Sequence, residues 1–186
     1  LIDKRKVIYF TAPGVVGLEE MPLAHPAPGE LLVQTLLSGI SAGTEMLIYR
    51  GQFPENLVVD TTIQDLAGEF SYPLSYGYCL VGRVVEIGAQ VDPVWLGRSV
   101  FAFHPHASAF LAKAEALVPI PMGIQPQDAV FFPNMETAVN LVMDGRPLLG
   151  EEVVVFGQGV VGLLTTALLG WFPLRRLVTL DPYPLR

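Results

Sequence analysis

Cysteine is nearly absent from the sequence: Cys79 is the only one in 186 residues. One thiol cannot close an internal disulfide and cannot build a multi-cysteine zinc site. Charge is sparse as well, at 16% of residues, and the 11 Lys and Arg, against 18 Asp and Glu, form no long run. With a formal net charge of −7 the chain has no electrostatic grip on nucleic acid or on an anionic membrane surface. There is no internal repeat and no low-complexity tract. The opening residues Leu1 to Lys6 lead into only Val7 to Phe10, too short for the apolar region of a secretory signal, so the cytoplasm is the expected compartment.

Apolar residues, by contrast, make up 51% of the chain, enough for a sizeable core. The mean hydropathy of +0.46 is high and points to apolar surface covered by further chain or by a partner. The segment Val153 to Leu174 carries no charge and has the length of a membrane span. Its front is β-branched, however, and it breaks at Gly157 and Gly159, leaving a helical remainder too short to cross. It reads as strand, turn and helix, and no membrane partner is expected.

The first 120 or so residues read as short strands divided by turn residues, the clearest being 6–10, 31–37, 80–87 and 99–103. Pro13-Gly14, His25-Pro26-Ala27-Pro28-Gly29, Gly88 and Asp92-Pro93 punctuate them, a pattern typical of a barrel or sandwich. The texture changes at Pro119-Ile120-Pro121. Asp128 to Met143 is helical in character and interrupted at Phe132-Pro133-Asn134. Val153–Phe156 is a continuous apolar run, expected of a strand buried on both faces in a parallel sheet. A helix over 160–169 and a strand over 176–180 follow. The expected fold class is α/β, with a β-rich N-terminal domain over 1–148, linking helices included, and the first β-α-β of a doubly wound domain over 149–186.

Gly157-Gln158-Gly159-Val160-Val161-Gly162 lies at the strand-to-helix turn of that unit, and its spacing has a geometric rationale. Gly157 permits the tight turn, Gly159 lets backbone approach a pyrophosphate, and Gly162 lets helix and strand pack closely. The pyrophosphate would meet the free N–H groups and positive dipole end of the helix that begins with Val160 and Val161. Asp181, 19 residues beyond Gly162, ends the next strand, where a carboxylate accepts from the adenosine ribose hydroxyls. A carboxylate there favours NAD over NADP.

Several further segments carry a family pattern. Gly39-Ile40-Ser41-Ala42-Gly43-Thr44-Glu45, then Ile48-Tyr49-Arg50-Gly51, is similar to the Gly-Ile-Cys-x-Thr-Asp segment of the medium-chain dehydrogenase/reductase family with one residue added. Pro73-Leu74-Ser75-Tyr76-Gly77-Tyr78-Cys79 with Val81 to Gly88 resembles its Pro-Leu…Gly-His-Glu…Gly-x-Val-x-Glu-x-Gly block. Leu117 to Pro121 and Glu136-Thr137-Ala138 resemble its approach to the cofactor domain. The resemblance spans essentially the whole chain. It implies a GroES-like, partly open β-barrel ahead of a Rossmann domain, an NAD-dependent oxidoreductase activity and a small-molecule substrate.

The departures bear on chemistry. Zinc enzymes of the family ligate the metal through the Cys of the first segment and the His of Gly-His-Glu. Those positions here hold Ser41 or Ala42 and Tyr78, Cys79 replaces the Glu, and Leu47 stands at the relay histidine. Hydroxyl and phenol are not ordinary zinc ligands, so the expectation is no zinc and a resemblance to the family's zinc-free branch. By the resemblance, Thr44 is the relay hydroxyl, Tyr78 can donate to a developing alkoxide, Glu45 braces the segment through a conformational partner, and Thr137 stands beside the nicotinamide unless it caps its helix. His104 and His106, two residues apart across Pro105, lack a third ligand nearby; one of them is expected to line a substrate pocket rather than hold a metal.

The reading is therefore a zinc-independent oxidoreductase passing hydride between a nicotinamide and an alcohol, carbonyl or activated alkene. The alternative is a non-catalytic nucleotide-sensing or assembly subunit that kept the fold. The sequence stops at Arg186 with barely one β-α-β unit built, so it is expected to be a fragment, inactive alone, whose open strand edges are covered by a homo-oligomer or by missing C-terminal chain.

Overall fold

The computed structural model describes residues 2–53 and 71–184. β1 (Lys4–Ala12) and β2 (Val15–Pro22) turn back at Pro13-Gly14 as an antiparallel hairpin, Lys4 opposite Pro22 and Phe10 opposite Val16. β3 (Glu30–Gly39), β4 (Cys79–Ile87), β5 (Ser99–Ala102), β6 (Ala109–Lys113) and β7 (Val118–Pro119) form an antiparallel sheet in the order β6-β3-β4-β5-β7. β3 lies between β6 and β4, which explains its unbroken apolar start. Leu31 and Val33 enter one cluster with Leu80, Val84, Val100 and Phe110, while Leu32 turns to Leu23 and Ala109. Consecutive apolar residues thus serve two faces, as the two-residue period of a strand requires.

Beyond β3 the chain makes one short helix, α1 (Thr44–Tyr49), with Gly43 at its N-cap. Ile48 of α1 is buried against Phe10 and Tyr76, and the Tyr72 hydroxyl donates to its carbonyl. α2 (Pro126–Ala129) begins at a proline, and Val130 after it packs on Cys79, Val81 and Phe101. These elements make up the first of two units, Leu1–Val130.

The second unit, Phe131–Arg186, holds α3 (Phe132–Gly145), β8 (Glu152–Phe156), α4 (Val160–Leu169) and β9 (Arg176–Leu180). β8 and β9 pair in parallel, Glu152 opposite Arg176 through Phe156 opposite Leu180. α4 packs on both strands and α3 packs on α4. That helix contact is why the division falls at Val130, ahead of the expected residue 148. The helical stretch breaks ahead of Phe132, and Pro133 sits in the first turn of α3, where its missing N–H costs nothing.

β8 differs from the expectation of burial on both faces. Val154 and Phe156 are exposed, Phe156 at 79%, while Val153 and Val155 are half-buried. An apolar run describes what a strand tolerates, and α4 covers one face of this sheet. The uncharged segment from Val153 is resolved into strand, turn and a ten-residue helix. Among the described residues no helix is long and apolar enough to cross a membrane.

Candidate functional site

The turn between β8 and α4 uses its three glycines for three different physical reasons. Gly157 has φ +85°, the left-handed region that side chains avoid. At Gly162 an added Cβ would fall on the Gly157 carbonyl, so only hydrogen allows the helix to close on the turn. At Gly159 the backbone is ordinary and, among the described residues, nothing lies within 4 Å of an added Cβ. Neither packing nor backbone conformation demands glycine there, whereas a ligand approaching the backbone would. Gly159 is the N-cap of α4 and provides no side-chain cap for its first N–H groups.

Asp181 is tied to the same turn. Its Oδ2 accepts from the Gln158 N–H at 2.6 Å and its Oδ1 from the Tyr183 N–H at 2.8 Å, while Gly157 N–H donates to the Leu180 carbonyl at 2.7 Å. Gln158 is buried with its amide turned inward, donating to the Gly157 carbonyl and accepting from the Thr166 hydroxyl. Val160 and Val161 begin the helix, the former exposed. Thr137 lies in the second turn of α3, its hydroxyl donating to the Pro133 carbonyl; Phe131 is the cap, so the capping alternative for Thr137 does not hold.

In the first unit, the segment after β3 builds a second constellation. Glu45 is only 2% exposed, and its Oε2 lies 2.7 Å from Nε2 of His106, itself 4% exposed. Glu45 Oε1 accepts the Ser41 N–H at 2.8 Å, and His106 Nδ1 is 2.8 Å from the Ser38 hydroxyl. Gly77 faces the imidazole, where an added Cβ would meet Cδ2 at 2.8 Å and Nε2 at 2.9 Å. A cavity of about 200 Å³ opens beside the pair, walled by Ile8, Phe10, Val16, Ile40, Met46 and Tyr49. Thr44, next to Glu45, is exposed and its N–H donates to the Ser41 hydroxyl. Tyr78 is half-buried, edge-on to Tyr76. Neither Thr44 nor Tyr78 is sealed in core.

The positions of the family's metal ligands fit zinc poorly. The Ser41 hydroxyl is engaged with Thr44, Ala42 has no donor, Leu47 is an exposed hydrocarbon and Tyr78 offers a phenol. Burial, then the nearby Glu45 charge, pushes the Cys79 thiol up to about 12. Among the described residues no three His, Cys, Asp or Glu converge on a metal-sized site. His104 stacks on Phe110 at 4.1 Å. The sequence singled out His106 but missed its pairing with Glu45, which joins positions 61 apart. The available signal was an imidazole just ahead of the apolar residues Ala107, Ala109 and Phe110, all three of them buried.

Comparison with solved structures identifies the fold. An alcohol dehydrogenase from Escherichia coli complexed with NADH aligns over 98% of this chain and 58% of its own, with a TM-score of 0.77 at 21% identity. A putative zinc-binding dehydrogenase from Sinorhizobium meliloti bound to NADP aligns over 95% and 56%, with a TM-score of 0.73 at 20% identity. The chain thus has the medium-chain dehydrogenase fold, a GroES-like β-rich unit followed by Rossmann-type β-α-β.

Its sequence relatives are dehydrogenases of that class. The 2-desacetyl-2-hydroxyethyl bacteriochlorophyllide A dehydrogenase of Cereibacter sphaeroides is 39% identical over 79 residues, 42% of this chain and 21% of that protein. The L-threonine 3-dehydrogenase of Xanthomonas axonopodis is 24% identical over 196 residues, 89% of this chain and 54% of that protein. No family model matches. The chain spans about half the length, or less, of the relatives it matches.

Proposed function

We propose that this chain belongs to a nicotinamide-dependent oxidoreductase that moves hydride between NAD and a small alcohol, carbonyl or activated alkene without zinc. The observation that carries the reading is Gly159: a glycine whose backbone any residue could adopt and whose added Cβ would meet nothing among the described residues, at the mouth of a helix, with Asp181 bonded to the neighbouring Gln158 N–H. The α4 N–H groups at Val160 and Val161 would hold the pyrophosphate. Asp181 would accept from the ribose hydroxyls and, by its charge, repel a 2′-phosphate, favouring NAD over NADP. The bound nicotinamide supplies the hydride acceptor or donor.

With no metal to polarise the reacting oxygen, donors on the chain must do so. Thr44, exposed at the start of α1, would pass a proton between substrate and solvent. The Tyr78 phenol, at the position of the lost ligand, would donate to the alkoxide. Glu45 braces the segment, since its carboxylate is spent on His106 and the Ser41 amide. The deciding experiment is a substrate screen by nicotinamide absorbance on the full-length natural protein, with elemental analysis after a mild chelator wash. No turnover of any alcohol or ketone, or near one zinc per active chain, defeats the corresponding half of the proposal.

A further inference from the structure

The string Ser41 N–H, Glu45, His106, Ser38 draws on three parts of the first unit: the end of β3, the turn into α1, and the loop between β5 and β6. A carboxylate buried this deeply is tolerated only when paired and hydrogen-bonded, and both of its oxygens are engaged at 2.7 and 2.8 Å. One proton is shared across the 2.7 Å contact between Glu45 Oε2 and His106 Nε2. Its other nitrogen meets the Ser38 hydroxyl, which can donate or accept as the ring requires.

The imidazole is itself fixed from outside the string. The His106 carbonyl accepts from Ile8 N–H at 3.1 Å and its N–H donates to the Tyr76 carbonyl at 3.4 Å. Thr35 and Lys6 bind Ala107 and Ser108 of the same loop. His106 is therefore the anchored end, and the turn carrying Ser41 and Thr44 is the held end.

We propose that His106 is a positioning residue for the reaction: through Glu45 and the Ser41 amide it fixes the turn that presents the Thr44 hydroxyl. The proposal rests on the dehydrogenase reading above. The turn's other ties are local: the Glu45 N–H donates to the Ser41 carbonyl at 3.1 Å and the Thr44 N–H to the Ser41 hydroxyl at 3.3 Å. α1 is six residues long, Ala42 to Thr44 are exposed, and the N-cap residue is Gly43, which has no side chain to bond the helix end. Misplacement of a reacting group by about 1 Å is enough to cost on the order of a hundredfold in rate.

The test compares His106→Ala with His106→Gln in the full-length protein, using the secondary alcohol that the wild type oxidises best. Glutamine can still donate to Glu45 and accept from Ser38. His106→Ala is expected to lower kcat about a hundredfold, with KM for NAD within about twofold because the nucleotide turn lies in the other unit, and His106→Gln to recover most of the rate. Amide hydrogen exchange at residues 41–45 is the readout independent of turnover, expected to quicken in His106→Ala and to return toward wild type in His106→Gln. Where His106→Ala fails to fold, Glu45→Gln takes its place with the same expectation of a lower kcat and faster exchange at 41–45. A folded His106→Ala protein that keeps kcat within about threefold, or shows unchanged exchange at 41–45, overturns the role of His106 while leaving the dehydrogenase reading intact. A wild-type protein that binds NAD but oxidises and reduces nothing overturns both.

Discussion

Gly162→Ala and Gly159→Ala should fail in different ways, and the difference follows from the geometry of one turn. At Gly162 an added Cβ would sit on the Gly157 carbonyl oxygen and 2.9 Å from its carbon, inside the ~3.5–4.0 Å at which carbon atoms rest. Those atoms are backbone and cannot rotate away, so α4 must withdraw its first turn from β8 by about 1 Å. Overpacking of this kind costs about 1–3 kcal/mol, and in a chain of this size each kcal/mol lowers Tm by roughly 2–4 °C. The same withdrawal carries the helix N–H groups away from a bound pyrophosphate. Each charge-assisted hydrogen bond lost is worth about 1.5–3 kcal/mol, or on the order of ten- to a hundredfold in Kd. At Gly159 an added methyl meets nothing among the described residues and φ is already −69°. Gly159→Ala should therefore leave Tm unchanged and weaken NAD binding alone. Thermal denaturation by circular dichroism and NAD titration by calorimetry, on the full-length protein, read both quantities. A Gly159→Ala protein that binds NAD like the wild type, or a Gly162→Ala protein of unchanged Tm, refutes the division of labour among the glycines.

Asp181→Ala should reduce NAD affinity about ten- to a hundredfold and leave NADP affinity equal or improved; an unchanged NAD to NADP ratio of dissociation constants counts against the ribose assignment. Glu45→Ala should destabilise by about 3–5 kcal/mol in urea unfolding, the cost of breaking a buried pair by removing one member, and Glu45→Gln by clearly less; equal losses would mean that the carboxylate charge is immaterial to the fold. Cys79, buried and raised from 9.0 to about 12, should resist a thiol reagent at pH 8 until the protein unfolds. Its raised value also sets a sign: the thiol is neutral in both states below pH 9, and between there and about 12 the unfolded chain ionises first, so stability falls as pH rises. Cys79→Ala should flatten that part of the stability curve, and a variant with the wild-type slope would show that other groups produce it.

The parts of the fold that were legible in the sequence are those set by neighbours along the chain. The helix over Val160–Leu169 and the strand over Arg176–Leu180 stand where glycine placement and apolar runs put them, because a tight turn and a helix start are local decisions. β2 and β6 were not anticipated: Val15–Pro22 is largely exposed and carries two adjacent acids, Glu19 and Glu20, and Ala109–Lys113 is short. α1 went unread for its length, one and a half turns ending without a basic residue. At the candidate site, Glu45 was expected to pair rather than react, yet its partner arrives from a loop beyond two further strands. Hydrogen bonds between residues so far apart leave no periodicity to read. The exposure of Phe156 was hidden for the opposite reason, since apolar composition is a property of the strand and burial is a property of what lies over it.

The central place of β3 also sets a timetable for a chain being synthesised. Its backbone is completed at Gly39, but one edge finds its partner only when β4 has been made, and the other only at Lys113. Roughly seventy residues separate completion from full pairing, which at 5–20 residues per second is roughly 4–14 s. Through that interval Leu31, Leu32 and Val33, later among the most deeply buried side chains of the protein, belong to an apolar strand with at least one edge open. The β1–β2 hairpin closes across two residues and is finished before β3 begins. The first unit is thus assembled around a strand that is early in the chain and late in the fold, and its protection on the ribosome falls to whatever binds an extended apolar segment in the meantime.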